Sequence, residues 1–230
     1  MNKKEVPMTK TIKKIPAYLT KIYSNLYFNK HLYNFLDNAL VQNILTFGYH
    51  NTLTDELKKE ISPHSNILQL GITFGSQIDK TYSALGMLGS YTIVDILPNV
   101  IENCKEKHLE QRINFVEANA KTNTKEKYDI IICYMLLHEL PPITREKVLE
   151  NIMNSLKSGG KAIFIDYNLP NHYNPLKYFI RAYNRLYQPF AEALWKNNIK
   201  DITPNAETCS WSKQTYFGGI YQKVVATKLK

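Results

Sequence analysis

Residues 67–75 read Ile67-Leu68-Gln69-Leu70-Gly71-Ile72-Thr73-Phe74-Gly75, and their reading decides the fold. Ile67 to Leu70 is a short apolar run with no helical repeat, the pattern of a strand buried on both faces. Gly71 and Gly75 bracket a tight loop, and the polar stretch 76–86 that follows has helical spacing. The same unit recurs outward from there. Tyr91 to Val94, Ile113 to Val116, Tyr128 to Tyr134 and Ala162 to Ile165 are further apolar runs, with helical stretches at 99–108 and 143–157. Such alternation predicts a parallel sheet with helices on both faces. Ser158-Gly159-Gly160 is expected to end the last helix with a left-handed C-cap.

The flanks carry a different pattern. After Asp166, a stripe of Leu176, Phe179, Ile180, Tyr183, Leu186, Tyr187, Phe190, Leu194 and Trp195 predicts one amphipathic helix, kinked at Pro189, with Lys177, Arg181, Arg185 and Lys196 on its other side. Gln214 to Phe217, Gly218-Gly219 and Ile220 to Val225 predict a hairpin on a two-residue glycine turn. Upstream, the apolar spacing through Tyr18, Leu19, Ile22, Tyr23, Leu26 and Tyr27, then Leu32 to Leu36, then Leu40 to Phe47, predicts helices stopped at Gly48. They precede the first strand and are expected to form a cap. The expected division is a basic tail and helical cap at 1–60 and the α/β domain at 61–230, with a helical insertion near 172–200. The near-absence of acidic residues at the extreme N-terminus, where Glu5 stands alone, suits a mitochondrial presequence, but the absence of Arg and scarcity of Ser count against one.

The chain has 230 residues, 44% hydrophobic and 21% charged, enough for one α/β domain with additions and short for two. This composition excludes a disordered chain, a collagen and a disulfide scaffold. No apolar run reaches the ~18 residues of a spanning helix. Cys104, Cys133 and Cys209 lack metal-type spacing and are expected to be reduced thiols of an intracellular protein. The net charge of +9 does not indicate nucleic acid, because only four of the 29 basic residues are Arg and Lys and Asn abound throughout. The charge is also split. Residues 1–30 hold seven Lys and one Glu, and residues 171–230 hold nine basic and three acidic residues, around a mildly acidic centre. If the ends meet in space they form a basic face suited to an anionic membrane surface or ligand.

In doubly wound sheets, ligands bind at the carboxyl ends of the strands. The loop after the first strand lacks both the G-x-G-x-x-G spacing and the P-loop lysine. It is similar, with gaps, to the first motif of S-adenosylmethionine-dependent methyltransferases, an acidic residue followed by G-x-G-x-G. Gly71 and Gly75 keep the outer glycines, Thr73 replaces the middle one and Gln69 the acid; an ordinary strand-to-helix turn is the plain alternative. Asp95 ends the second strand, where a carboxylate can hold two ribose hydroxyls or simply begin the next helix. Asn119 and Ala120 follow the third strand, where methyltransferases place residues beside adenine. Tyr128 to Glu139 and Leu156 to Tyr167 resemble the fourth motif and the strand after it. Together these matches predict a class-I methyltransferase-like Rossmann fold, with a mostly parallel sheet, a C-terminal antiparallel hairpin and an N-terminal helical cap. Gln69, Gly71, Thr73, Gly75, Asp95, Asn119 and Ala120 are the expected cofactor-binding residues.

A narrower resemblance then emerges. Gln69, Leu137-His138-Glu139, Asp166-Tyr167, Pro189-Phe190-Ala191 and Thr215-Tyr216-Phe217-Gly218-Gly219-Ile220-Tyr221-Gln222-Lys223-Val224-Val225 resemble the rhodoquinone biosynthesis enzymes, from about residue 16 to the end. That family resembles methyltransferases in fold but exchanges a methoxy group of ubiquinone for an amino group, with S-adenosylmethionine as nitrogen donor and an association with Mn2+. The resemblance implies ubiquinone as substrate, no nucleic-acid partner, and His138, Glu139, Asp166, Tyr167 and Tyr216 as candidate catalytic residues. His138 and Glu139 would move a proton or ligate a metal, or His138 would simply pack. A neutral Gln69 would leave the methionyl amine unprotonated, where a carboxylate would raise its pKa. The expected location is peripheral on a membrane bearing the quinone, the cytoplasmic face of a bacterial inner membrane or the matrix side of the mitochondrial one. There Lys10, Lys13, Lys14, Lys177, Arg181 and Arg185 would ring an apolar entrance. A conventional methyltransferase acting on a quinone or other lipophilic molecule is the alternative.

Overall fold

Every residue of β1 (Asn66–Leu70) after the first is buried, and the strand pairs in parallel on both sides, with β2 (Ser90–Asp95) and with β4 (Tyr128–Tyr134). Its apolar run therefore lies at the centre of a sheet, as the missing alternation requires. The computed structural model describes residues 15–22, 29–122 and 124–230. Lys10, Lys13 and Lys14 of the expected basic rim, and Tyr23, Leu26 and Tyr27 of the expected first helix, lie outside the described residues. The sheet has seven strands in the order β3-β2-β1-β4-β5-β7-β6, where β3 is Ile113–Glu117, β5 Leu156–Tyr167, β6 Cys209–Tyr216 and β7 Tyr221–Lys228. β7 runs antiparallel to both β5 and β6. This is the class-I methyltransferase arrangement, with its switch point at β1 and β4.

Helices cover both faces. On one side Val148, Leu149 and Ile152 of α7 (Pro142–Ser155) pack on Leu68, Leu70, Ile131 and Phe164. On the other, Leu53 and Leu57 of α4 (His50–Lys58) and Ile78 and Leu85 of α5 (Gln77–Leu85) meet Ile67, Ile93, Ile132 and Ile163. The remaining cap helices are α1 (Ala17–Ile22), α2 (Lys30–Leu36) and α3 (Ala39–Leu45). Leu19 and Tyr33 tie α1 and α2 to Leu97 and to Val100 of α6 (Pro98–Lys107). Asn29 and Asn38 cap α2 and α3, each accepting two backbone N–H groups through its side chain.

Three local expectations are corrected. The helix before β5 ends at Ser155, and Ser158-Gly159-Gly160 lies within the strand, where the register with β4 shifts between Tyr128 and Ile130. A Cβ at Gly160 would stand 3.1 Å from the carbonyls of Tyr128 and Asp129, so this glycine serves close strand approach rather than helix capping. The amphipathic stripe forms two helices, α8 (Leu176–Tyr187) and α9 (Ala191–Trp195), because Pro189 supplies no N–H to continue the first. The hairpin extends back to Cys209, and its turn spans 217–220 rather than two glycines, with Phe217 also at positive φ.

Candidate active site

Two hollows open at the carboxyl edge of the parallel strands. The first is lined by Gly71, Asp95, Ile96, Asn119, Ala120, Leu136, Leu140 and Val148. It has the polar group at the end of β2 and the apolar slot between β3 and α7 that a nucleoside needs. Asp95 Oδ2 accepts the Ile72 N–H at 2.8 Å and Oδ1 accepts the Leu97 N–H at 2.9 Å. One carboxylate thus fastens the glycine loop to the β2–α6 turn; burial raises its pKa, against the pull of those N–H groups. Gly71 has φ +83, a left-handed conformation that favours glycine, and a Cβ there would lie in van der Waals contact with Leu136. Tyr18 and Leu19 of α1 also line this cleft, and only about 70 Å³ is left. That is below the ~300 Å³ at which ligand pockets begin, with the Tyr18 and Leu19 side chains among those that fill the space. Burial, then Glu139 and Asp95, push the Tyr18 hydroxyl up to about 12, so it is neutral there.

The second hollow, about 410 Å³, is the larger and more apolar. Phe47, Phe74, Tyr134, Tyr167, Phe179, Tyr183 and Tyr221 contribute its aromatic walls, while His138, Glu139 and Asn184 are polar groups on them. Ile72, Tyr134, Met135 and Glu139 line both hollows and so mark where they meet. Met135 holds a left-handed φ of 50° at the end of β4, a strain that turns the chain into the 137–139 helical turn beside both hollows.

His138 is set by Asp166. Its Nδ1 lies 2.7 Å from Asp166 Oδ1, which also accepts the Tyr167 N–H at 2.7 Å, while Oδ2 accepts the N–H groups of Leu137 and His138. The carboxylate is fully buried and every described partner is an N–H donor. Burial works against a charged imidazole, but the charge and hydrogen bond of Asp166 outweigh it, and the His138 pKa is raised. With Nδ1 engaged, Nε2 is the ring nitrogen left for the cavity. Tyr167 packs edge-on to His138 and stacks on Tyr221. Arg145, itself buried, donates to the carbonyls of Leu137, Leu140 and Phe190, locking the turn to α9.

Several expected residues lie elsewhere. Gln69 lines neither hollow. Its side chain donates to Gln77 Oε1 and the Gly71 carbonyl and accepts from Gln77 Nε2 and the Tyr91 hydroxyl, all in a buried network under the glycine loop. Thr73 turns its hydroxyl to Gln77 and lines the larger hollow rather than the nucleoside cleft. Gly75 faces the cap. Its N–H donates to Asp37 Oδ1, Asp37 pairs with Lys107, and a Cβ would fall 2.8 Å from the His50 ring. His50 is lowered to about 4 by burial, then by Lys80 and Lys107, and its neutral Nε2 accepts the Ser76 N–H. Tyr216 donates to Glu56 and Gln214 in an ion-pair cluster around Lys223, outside both hollows. Among the described residues no group of three His, Cys, Asp or Glu is placed to hold a metal ion, and the Asp166 oxygens are taken by N–H donors. Sequence spacing missed Met135, the Asp37–Gly75 contact and Asn184, whereas Tyr18 belongs to the apolar series expected in the cap.

Comparison with known proteins agrees with this geometry. Residues 67–160 match a family model described as a methyltransferase domain. A polyketide synthase–nonribosomal peptide synthetase of Aspergillus flavipes is 28% identical over 128 residues, which is 49% of this chain and 3% of that protein, so the chain spans a small fraction of that relative. The N-methyltransferase NodS of Bradyrhizobium japonicum, solved with S-adenosyl-L-homocysteine, superposes with TM-score 0.64 at 15% identity, covering 94% of this chain and all of that one. An O-methyltransferase family protein of Burkholderia thailandensis gives 0.68 at 11% identity, covering 92% and 64%. The chain is methyltransferase-like, and at these identities the solved structures establish the shared fold.

Proposed function

We propose that this chain is an S-adenosylmethionine-dependent transferase that acts on the ring of a lipophilic quinone, exchanging a methoxy group of ubiquinone for an amino group to give rhodoquinone. The observation that carries the acceptor class is the aromatic-walled hollow of about 410 Å³ that meets the nucleoside cleft at Met135 and Glu139. It offers a ring flat aromatic contacts together with polar groups, His138, Glu139 and Asn184 among them. The exchange itself is supported by the resemblance of Leu137-His138-Glu139, Asp166-Tyr167 and the C-terminal block, not by Gln69, whose side chain faces away from both hollows.

Asp95, Asn119 and Ala120 would hold the nucleoside, whose methionyl end supplies the nitrogen. As the ring carbon–nitrogen bond forms and the carbon–methoxy bond breaks, methanol leaves with a proton that His138 Nε2 delivers. The Cα–H bond of the resulting ring amine then breaks, and its electron pair reduces the ring to the hydroquinone as a C=N bond forms. Water hydrolyses that bond to release the methionyl carbon as a 2-oxo acid. The amino-hydroquinone so formed gives rhodoquinone on two-electron oxidation by a second quinone molecule. Asp166 keeps His138 oriented and able to hold that proton. The same dyad favours a second reading, methyl transfer to a ring hydroxyl with His138 as base. Incubation with a short-tailed ubiquinone and S-adenosylmethionine labelled on nitrogen or on methyl separates the two by mass spectrometry. A product lighter than substrate and carrying labelled nitrogen is expected; a heavier one carrying labelled methyl would establish the second reading, and no label in the ring would refute both.

The proposed docking partner is an anionic bilayer. Ile44, Leu45, Phe47, Phe179 and Tyr183 line the hollow yet stay solvent-exposed, so they form its mouth, with Lys177 and Arg181 on the same helix as Phe179. Apolar insertion plus lipid charge would hold such a mouth at the membrane. Flotation with anionic vesicles should carry the wild type, and charge reversal at Lys177 and Arg181 should release it; a wild type that ignores these vesicles at low salt would refute docking.

A further inference from the structure

Asn184 sits in the interior of α8 with no exposed surface, and it lines the larger hollow beside Tyr183 and Ile180. Neither Oδ1 nor Nδ2 has a hydrogen-bond partner among the described residues. Both facts run against local preference. Asn is a poor residue for a helix interior, and a buried amide with neither end satisfied costs folding free energy that Leu at the same position would not. Phe179 and Ile180 on that wall of α8 are apolar, and the Tyr183 hydroxyl makes no hydrogen bond to the amide.

We infer that Asn184 is a specificity-determining residue that reads a neighbouring donor and acceptor on the bound ring. Oδ1 accepts from a ring hydroxyl or amino group, and Nδ2 donates to the carbonyl or ether oxygen next to it. A pair of neighbouring donor and acceptor on one ring satisfies both ends of the amide at once. A hydroquinone with a hydroxyl beside a methoxy group presents one, and so does a quinone with an amino group beside its carbonyl. A dimethoxyquinone presents acceptors alone and leaves Oδ1 unpaired. In the proposed exchange the N–H therefore arises at the position the amide favours, so Asn184 stabilises what is formed more than what enters. In the methyl-transfer reading the same amide selects the reduced ring as acceptor. The inference rests on the reading of the hollow as the acceptor site.

The test uses the full chain and a tail-less dimethoxy-methyl-benzoquinone, titrated calorimetrically as the quinone and, under anaerobic reduction, as its hydroquinone. Wild type should bind the hydroquinone about tenfold more tightly, the scale of one extra hydrogen bond to a desolvated group. Asn184→Leu should lose that preference while its Tm holds or rises; Asn184→Ala, which cannot overpack the wall, should lose it as well. Discrimination that survives in both variants, or is absent from wild type while both rings bind, overturns the role of Asn184 and leaves the acceptor site standing. A lowered Tm in Asn184→Leu with discrimination intact assigns the amide to packing and overturns it equally. If neither ring form binds wild type, the acceptor reading fails and the inference falls with it.

Discussion

Asp166→Asn tests the centre of the proposed site. The wild-type carboxylate accepts from His138 Nδ1 and the Tyr167 N–H through Oδ1, and from the Leu137 and His138 N–H groups through Oδ2. An amide cannot do this in either orientation, because its NH₂ must face donors on one side. An orphaned buried donor costs about 1–3 kcal/mol, so the variant should lose about 2–4 kcal/mol of stability. The pH dependence is the sharper measure. The raised His138 pKa means that the folded protein holds this proton above pH 6.5, the ordinary value, where the unfolded chain releases it. That contribution is complete below pH 6.5 and is lost as pH rises through the folded pKa. Urea unfolding across that window should show wild-type stability falling with pH, and Asp166→Asn should flatten this component. Without the carboxylate, burial is the larger remaining influence and lowers the imidazole pKa. The pH limb assigned to His138 in kcat/KM should therefore move to lower pH, with a rate loss on the ~10²–10⁴-fold scale of a positioned acid–base group. A stability loss under ~0.5 kcal/mol, far less than one orphaned donor costs, would refute this account, as would an unchanged pH dependence.

The other predictions concern the cofactor side. Asp95→Ala frees the N–H groups of Ile72 and Leu97 and should weaken S-adenosylhomocysteine binding by about 2–3 kcal/mol in calorimetry, with quinone affinity unchanged. Gln69→Glu puts a carboxylate where two donors served Gln77 and Gly71, so it should lower stability by about 2–4 kcal/mol in denaturant unfolding; a Tm equal to wild type would show the network to be open. Tyr18→Ala removes the aromatic side chain filling the nucleoside cleft and should speed S-adenosylhomocysteine association in stopped flow; an unaltered rate would mean that α1 does not limit access.

Much of this architecture is a local property of the chain. The apolar run at Ile67 to Leu70 and its recurrences place the strands, because a strand buried on both faces must be apolar at successive positions whatever surrounds it. Right-handed crossovers then leave few ways to order them. Gly71, Asp95, Asn119 and Ala120 were legible for the same reason: they end strands, and strand ends of such a sheet converge on one edge. The Ser158-Gly159-Gly160 turn was misread because glycine serves a helix cap and a close strand approach equally well.

The direction and partners of buried polar side chains were not legible. Gln69 pairs in register with Ile93, so Tyr91, two residues earlier on β2, shares its face, and Gln77 reaches both from α5. Only that sideways contact decides that the amide faces the helix and not a ligand. Tyr216 likewise follows Glu56 into the Lys223 cluster, across 160 positions of sequence. Asp166 finds His138, α1 enters the nucleoside cleft, and Asn184 finds no partner among the described residues, each through packing between elements distant in sequence. Apolar periodicity reports whether a residue is covered. Which hydrogen-bond partner a covered polar group meets depends on the elements packed against it, and that only the tertiary structure decides.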